Sequence, residues 1–225
     1  MKAIKFLTAI SILIFLSCSD DSSTQSLSNS VSLRNVNPIS VSQVQIGNQI
    51  WMTKNLNVSK YRNGDPIPEV QSPEQFTSMT TGAWCYYGNN PANRNLHGKL
   101  YNWYAVNDPR GLAPQGWHIA SDSEWFTLIN FVGIHAWNKL RSPLMWSSPI
   151  LSYTNSSGLS CLPSGGRFVD DPSYDSALGY ESYIWTSTAI SSTEASSICF
   201  LSPLNTEFYQ SAQLNNGFSV RCVKD

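Results

Sequence analysis

Apolar and polar residues alternate most regularly near the start of the folded part of the chain. Val44-Gln45-Ile46 and Gln49-Ile50-Trp51-Met52 flank Gly47-Asn48, two residues that tolerate the positive φ of a tight turn, so the segment predicts a β-hairpin. A helical period appears once. Trp125, Leu128, Ile129 and Val132 recur at i, i+3, i+4 and i+7. Ser121 and Glu124 ahead of them form a capping-box pair and Gly133 ends the run, which predicts a helix from about Asp122 to Val132. Ala83 to Tyr87 is a compact apolar run that reads as a strand. Lys99 to Val106 (KLYNWYAV) is ambiguous: Leu100, Trp103 and Tyr104 suit a helix face and Tyr101 with Trp103 a strand face, with helix the preferred reading. Asn63-Gly64-Asp65-Pro66 marks a turn, and residues 68–81 read as irregular. Beyond the helix, short strands and turns are predicted at 159–163, 165–166, 183–188, 197–201 and 218–223. No internal repeat appears.

The N-terminus follows a different pattern. Lys2 and Lys5 precede an apolar stretch from Phe6 to Leu16, roughly 11 residues, which suits a signal-peptide h-region and is too short to span a bilayer. Ser17-Cys18 follows and resembles a lipobox, with Phe15 standing where Leu is usual. Residues 1–17 are thus expected to be a lipoprotein signal peptide and Cys18 the lipidated residue. The alternatives are an ordinary signal peptide cut elsewhere or an uncleaved anchor helix. Residues 18–40 are rich in Ser, Asn, Asp, Gln and Thr, too polar to offset the entropy of ordering, and predict a flexible tether. Ser19-Asp20-Asp21 resembles the acidic export signal of Bacteroidota surface lipoproteins. The expected location is the outer membrane, at the cell surface and lipid-anchored.

Composition narrows the rest. Without Lys2 and Lys5, 12 basic residues face 15 acidic ones, a net charge of about −3. With no basic run, nothing here offers a nucleic-acid footprint. Charged residues are 13% and aromatic ones 12%, with 8 Trp, a balance that suits an exported domain of short strands and long ordered loops. Setting Cys18 aside leaves Cys85, Cys161, Cys199 and Cys222. An even set in an oxidising compartment favours disulfides over free buried thiols, and four cysteines admit three pairings. No CxxC or Cys/His spacing suggests zinc.

Longer motifs carry a resemblance. Trp84-Cys85-Tyr86-Tyr87, Gly98 to Val106, Gly111-Leu112-Ala113-Pro114 with Gly116-Trp117-His118, the Ser-Asp-Ser-Glu-Trp helix start and Gly217 to Val223 resemble the Fibrobacter succinogenes major paralogous domain family. The likeness runs from about Val44 to the end, giving a domain over residues 41–225. It implies an α+β fold similar to C-type lectin-like and formylglycine-generating-enzyme domains, with small antiparallel sheets, one or two helices and long ordered loops. Cys85 and Cys222 lie in family motifs whereas Cys161 and Cys199 stand where the family usually has other residues. The resemblance therefore implies Cys85–Cys222 and Cys161–Cys199 pairs.

Candidate chemistry is sparse. His97, His118 and His135 are the available bases, and His118 reads as a packed, hydrogen-bonded residue. No GxSxG frames a Ser/His/Asp set, and no cysteine arrangement matches the copper-binding one of the formylglycine-generating enzymes, so catalysis is not expected. Asp170, Asp171 and Asp175 lie near Glu181 in sequence and are candidate Ca²⁺ ligands, though the sugar-coordinating motifs of C-type lectins are absent and a solvated acidic turn is the simpler reading. No other cofactor is implied. Arg167 and Arg221 read as inward-facing residues bonding loop carbonyls. Tyr86, Tyr174 and Trp185 are the candidates for stacking on a ligand, the other aromatics reading chiefly as core. The expected function is a membrane-anchored lectin-like module that binds an extracellular glycan or protein. A structural lipoprotein without a small ligand is the alternative, and a formylglycine-generating-type enzyme a third.

Overall fold

The computed structural model describes residues 41–147, 153–170, 178–202 and 206–225. The predicted hairpin is present: β1 (Gln43–Ile46) and β2 (Gln49–Met52) are antiparallel with Ile46 opposite Gln49. Gly47 turns the chain at φ 62°, and a Cβ placed there would meet the Phe131 ring at 3.0 Å, so both conformation and space favour glycine. β10 (Cys222–Lys224) pairs with β2 and with β5 (Trp117–Ile119), giving a four-stranded sheet in the order β1-β2-β10-β5. A second sheet has the order β8-β7-β6-β9, from β6 (Glu181–Ala189), β7 (Glu194–Leu201), β8 (Thr206–Gln213) and β9 (Ser219–Val220). Its first three strands are an antiparallel meander, but β9 lies parallel to β6. β3 (Trp84–Cys85) and β4 (Leu100–Tyr101) form a small third pair.

The helix expected at residues 122–132 is α4 (Asp122–Val132), with both halves of its capping box formed and Gly133 at its C-cap. It buries Trp125 and Leu128 against Trp51 and Phe200, the Trp51 and Trp125 rings lying 4.7 Å apart. The other α-helices among the described residues are α1 (Pro73–Thr77), α2 (Arg94–His97), α3 (Trp103–Val106) and α5 (Ala136–Leu140), none longer than five residues. The architecture is therefore mixed α+β, with small, mostly antiparallel sheets and one substantial helix among the described residues.

Residues 68–81, read as irregular, contain the short helix α1 (Pro73–Thr77), capped by Ser72, and three further expectations about the fold need correction. Lys99 to Val106 is not one helix but β4 followed by α3. Asn102 causes the break: its Oδ1 accepts from the Ala83 and Ala105 amides, an alternative to helical bonding that short polar side chains offer. The 218–223 segment is two strands, since the chain leaves one sheet at Val220 and enters the other at Cys222. Between them Arg221 is fully buried; its Nη1 donates to the carbonyls of Met52 and Leu159 and its Nη2 to Asn55 Oδ1. Arg167 likewise turns inward, donating to Val70 O and Asn89 Oδ1. Both follow the expected use of a guanidinium fork.

Third, the disulfides are absent: Cys85, Cys161, Cys199 and Cys222 are all free and buried. They pack in separate neighbourhoods. Cys85 sits with Val70 and Phe76, Cys222 with Tyr101 and Phe218, and Cys161 with Leu140 and Leu159. Neither Cys85–Cys222 nor Cys161–Cys199 is joined. Burial pushes the thiols of Cys85, Cys199 and Cys222 up to about 12, so they act as small apolar core residues.

Candidate functional site

Most aromatic residues are consumed by the core. Trp51, Trp84, Trp103, Trp117, Trp125, Trp146 and Trp185 are all buried. Trp137 alone among the 8 tryptophans is only half-buried. Its position follows from a short, tightly tied segment. After Gly133 the chain passes through exposed Ile134 to His135, whose backbone is left-handed at φ 63°. α5 then starts, and Ala136 and Leu140, one turn apart, anchor it by burial. The far end is fixed from outside the helix: the Thr154 amide donates to Asn138 O and Oδ1, and the Ser157 amide and hydroxyl both donate to Lys139 O. Between α5 and the 153–158 loop lies an open cleft of about 430 Å³ lined by His135, Trp137, Asn138, Lys139, Thr154 and Ser156.

The Trp137 ring is held edge-on by two neighbours, the His135 imidazole at 5.8 Å and the Tyr153 phenol at 6.5 Å between centroids. Tyr153 in turn leans on Trp146, and the Arg141 guanidinium lies over both rings. A rigid aromatic column thus runs from the core to the surface and ends at Trp137. The Trp137 indole N–H and the His135 ring nitrogens make no hydrogen bond with described residues. Lys139 Nζ donates to Val132 O at 2.9 Å, which steers its ammonium to the cleft edge. A supported aromatic face with polar groups around it can stack on an apolar ring face and bond its hydroxyls.

Other hollows are less available. One of about 490 Å³ includes Tyr104, Asn107, Asp108 and Arg110. There Arg110 bonds Asp108 through Nε and Nη2, pairs with Asp65 at 3.2 Å and lies over the Tyr61 ring. Hydrogen bonding from Arg110 holds Asp108 at about 2, so these charges satisfy each other. A Ser/His/Asn grouping also exists, with His97 Nδ1 3.2 Å from Ser164 Oγ and Asn55 Nδ2 donating to that hydroxyl. All three residues are buried, and Asn55 also lines a hollow of about 290 Å³ beside Arg221.

The candidates named from sequence fare differently. Trp185 is fully buried and donates its N–H to Tyr101 O. Tyr86 is buried against Trp84. Neither offers a face to a ligand, a correction to both assignments. Tyr174, Asp171 and Asp175 lie outside the described residues, as does Cys18. Asp170 is exposed, Glu181 accepts from the Tyr183 hydroxyl, and no group of three potential metal-ligating side chains occurs among the described residues. His118 is hydrogen-bonded as expected: Nδ1 is 2.8 Å from Asp225 Oδ1 and Nε2 2.5 Å from Glu124 Oε1. The five residues of α5 are too few to show a helical period, so the apolar pattern does not set Trp137 apart. The available signal was an aromatic outside the long motifs, followed directly by Asn138 and Lys139.

A mixed α+β domain, with an aromatic core and one tryptophan held out on a surface cleft, is the class that the fold and site define. The chain belongs to the Fibrobacter succinogenes major domain family, whose model matches residues 44–224. No curated protein and no solved structure matches it.

Proposed function

We propose that this protein is an outer-membrane lipoprotein whose C-type lectin-like domain binds an extracellular glycan at the Trp137 cleft. It acts by recognition rather than catalysis. The observation that supports the glycan reading is Trp137 itself, the one tryptophan left half-exposed while seven others fill the core. Exposing an indole and bracing it from behind is the arrangement that sugar stacking requires. Glycan-array binding by the wild-type domain, lost in Trp137→Ala with the melting temperature nearly unchanged, is the expected result. Binding that is indifferent to Trp137 refutes the assignment. Because the cleft has no carboxylate among its lining residues, binding is expected to survive chelation of Ca²⁺.

The anchor is proposed on Cys18 and the polar tether behind it. Lipid is the proposed means of attachment because Ser17-Cys18 follows a short apolar stretch; among the described residues no helix is long and apolar enough to cross a membrane. Metabolic labelling with palmitate is expected in the full chain and lost in Cys18→Ser. A second reading, a scaffold lipoprotein that docks a protein, draws on the exposed Phe126, Phe131 and Ile134 in and after α4. Polar replacement of those three without effect on any envelope partner removes it.

A further inference from the structure

We propose that the ligand of the Trp137 cleft is an acidic saccharide, a sugar whose carboxylate is received by Lys139 and His135. This rests on the glycan reading of the cleft and adds the charge of the sugar. In a chain with net charge −1, the titratable groups lining this cleft are Lys139 and His135, with no Asp or Glu. Neither makes an ion pair with a described residue. The contrast with Arg110 is direct, since that cation is already chelated by Asp108 and Asp65.

Lys139 has a further preparation. One of its three N–H donors is spent on Val132 O, which fixes the ammonium and leaves two donors for a ligand. A carboxylate bonded there gains a charge-assisted interaction that a neutral hydroxyl does not provide. His135 carries an independent sign. A left-handed backbone is costly for any residue with a Cβ and nearly free for glycine, yet this position holds a histidine whose ring flanks Trp137 at 5.8 Å. Strain retained at the wall of a cleft points to work for the side chain. Trp137 takes the sugar face, His135 and Lys139 take the acid.

Uronic acids and sialic acids share this chemistry, so the test uses both. Calorimetry with trigalacturonate and with sialyllactose, each against its carboxyl-reduced derivative, is expected to show at least one acid bound about tenfold more tightly than its reduced form. Which acid binds identifies the source of the carboxylate. Lys139→Met is expected to remove that preference by weakening the acid about tenfold more than the reduced sugar, and Lys139→Arg to keep it. Near-UV circular dichroism checks that the variants fold. Equal affinity for acid and reduced sugar, with both still dependent on Trp137, overturns the acidic ligand and leaves the glycan site standing. Equal losses for acid and reduced sugar in Lys139→Met overturn it too. If a broad array shows no sugar bound through Trp137, the glycan reading itself fails.

Discussion

Two tryptophans with the same side chain have opposite duties here. Trp185 is sealed, bonded to Tyr101 O, and packed 4.5 Å from the Phe218 ring. Trp185→Ala should cost about 3–5 kcal/mol by emptying a large core volume, readable as a lower denaturant midpoint. Trp137→Ala removes the edge-on contacts with His135 and Tyr153 and a partial packing against the core; it should cost less than Trp185→Ala, about 1–2 kcal/mol, while abolishing glycan binding. His135→Gly makes a sharper distinction. Relief of the left-handed strain should leave stability unchanged or raise it by up to about 1 kcal/mol, yet weaken ligand binding. A variant that is destabilised while binding normally refutes the role given to that ring.

Single elements are held by polar devices at their ends. α4 is capped by Ser121 and Glu124, and the same Glu124 reaches His118 on β5, which also holds Asp225 at the C-terminus. Ser121→Ala should therefore cost about 1 kcal/mol. Burial pushes the His118 pKa down, but its bonds to Glu124 and Asp225 outweigh that and raise it above 6.5. Only the imidazolium donates from both nitrogens. The clamp's stabilisation is thus complete below the unfolded value and disappears as pH rises through the higher folded value. The melting temperature should fall modestly between about pH 6 and pH 8 and do so less in His118→Ala. The effect is small because the His118 side chain is 42% exposed and solvent screens it. Arg221 is a stronger device, since it ties β2, the 159 loop and Asn55 at the crossing between two sheets. Arg221→Ala should cost about 3–5 kcal/mol, with three buried acceptors orphaned. Lys should not rescue it, lacking the planar fork.

For the molecule as a whole, stability comes from an aromatic core and buried arginines rather than from cross-links. Alkylation of the unreduced, denatured domain should modify all four of Cys85, Cys161, Cys199 and Cys222, and reductant should not shift the unfolding midpoint. Two fewer accessible thiols would show that a bridge forms. Oxidation state was not legible in the sequence: an even cysteine count describes what can pair, whereas the separate packing of Cys85, Cys161 and Cys222 decides what does.

Local order was written in the sequence wherever a short-range rule sufficed. Gly47-Asn48 set the hairpin, and Ser121, Glu124 and Gly133 set both ends of α4, because turns and caps depend on residues within a few positions. The long family motifs likewise matched the domain. The parallel seat of β9 beside β6 and the division of 218–223 between two sheets were settled only by partners distant in the chain. So was the site. Nothing local distinguishes Trp185 from Trp137; burial is decided by what packs on top, and only the assembled core shows which indole remains uncovered.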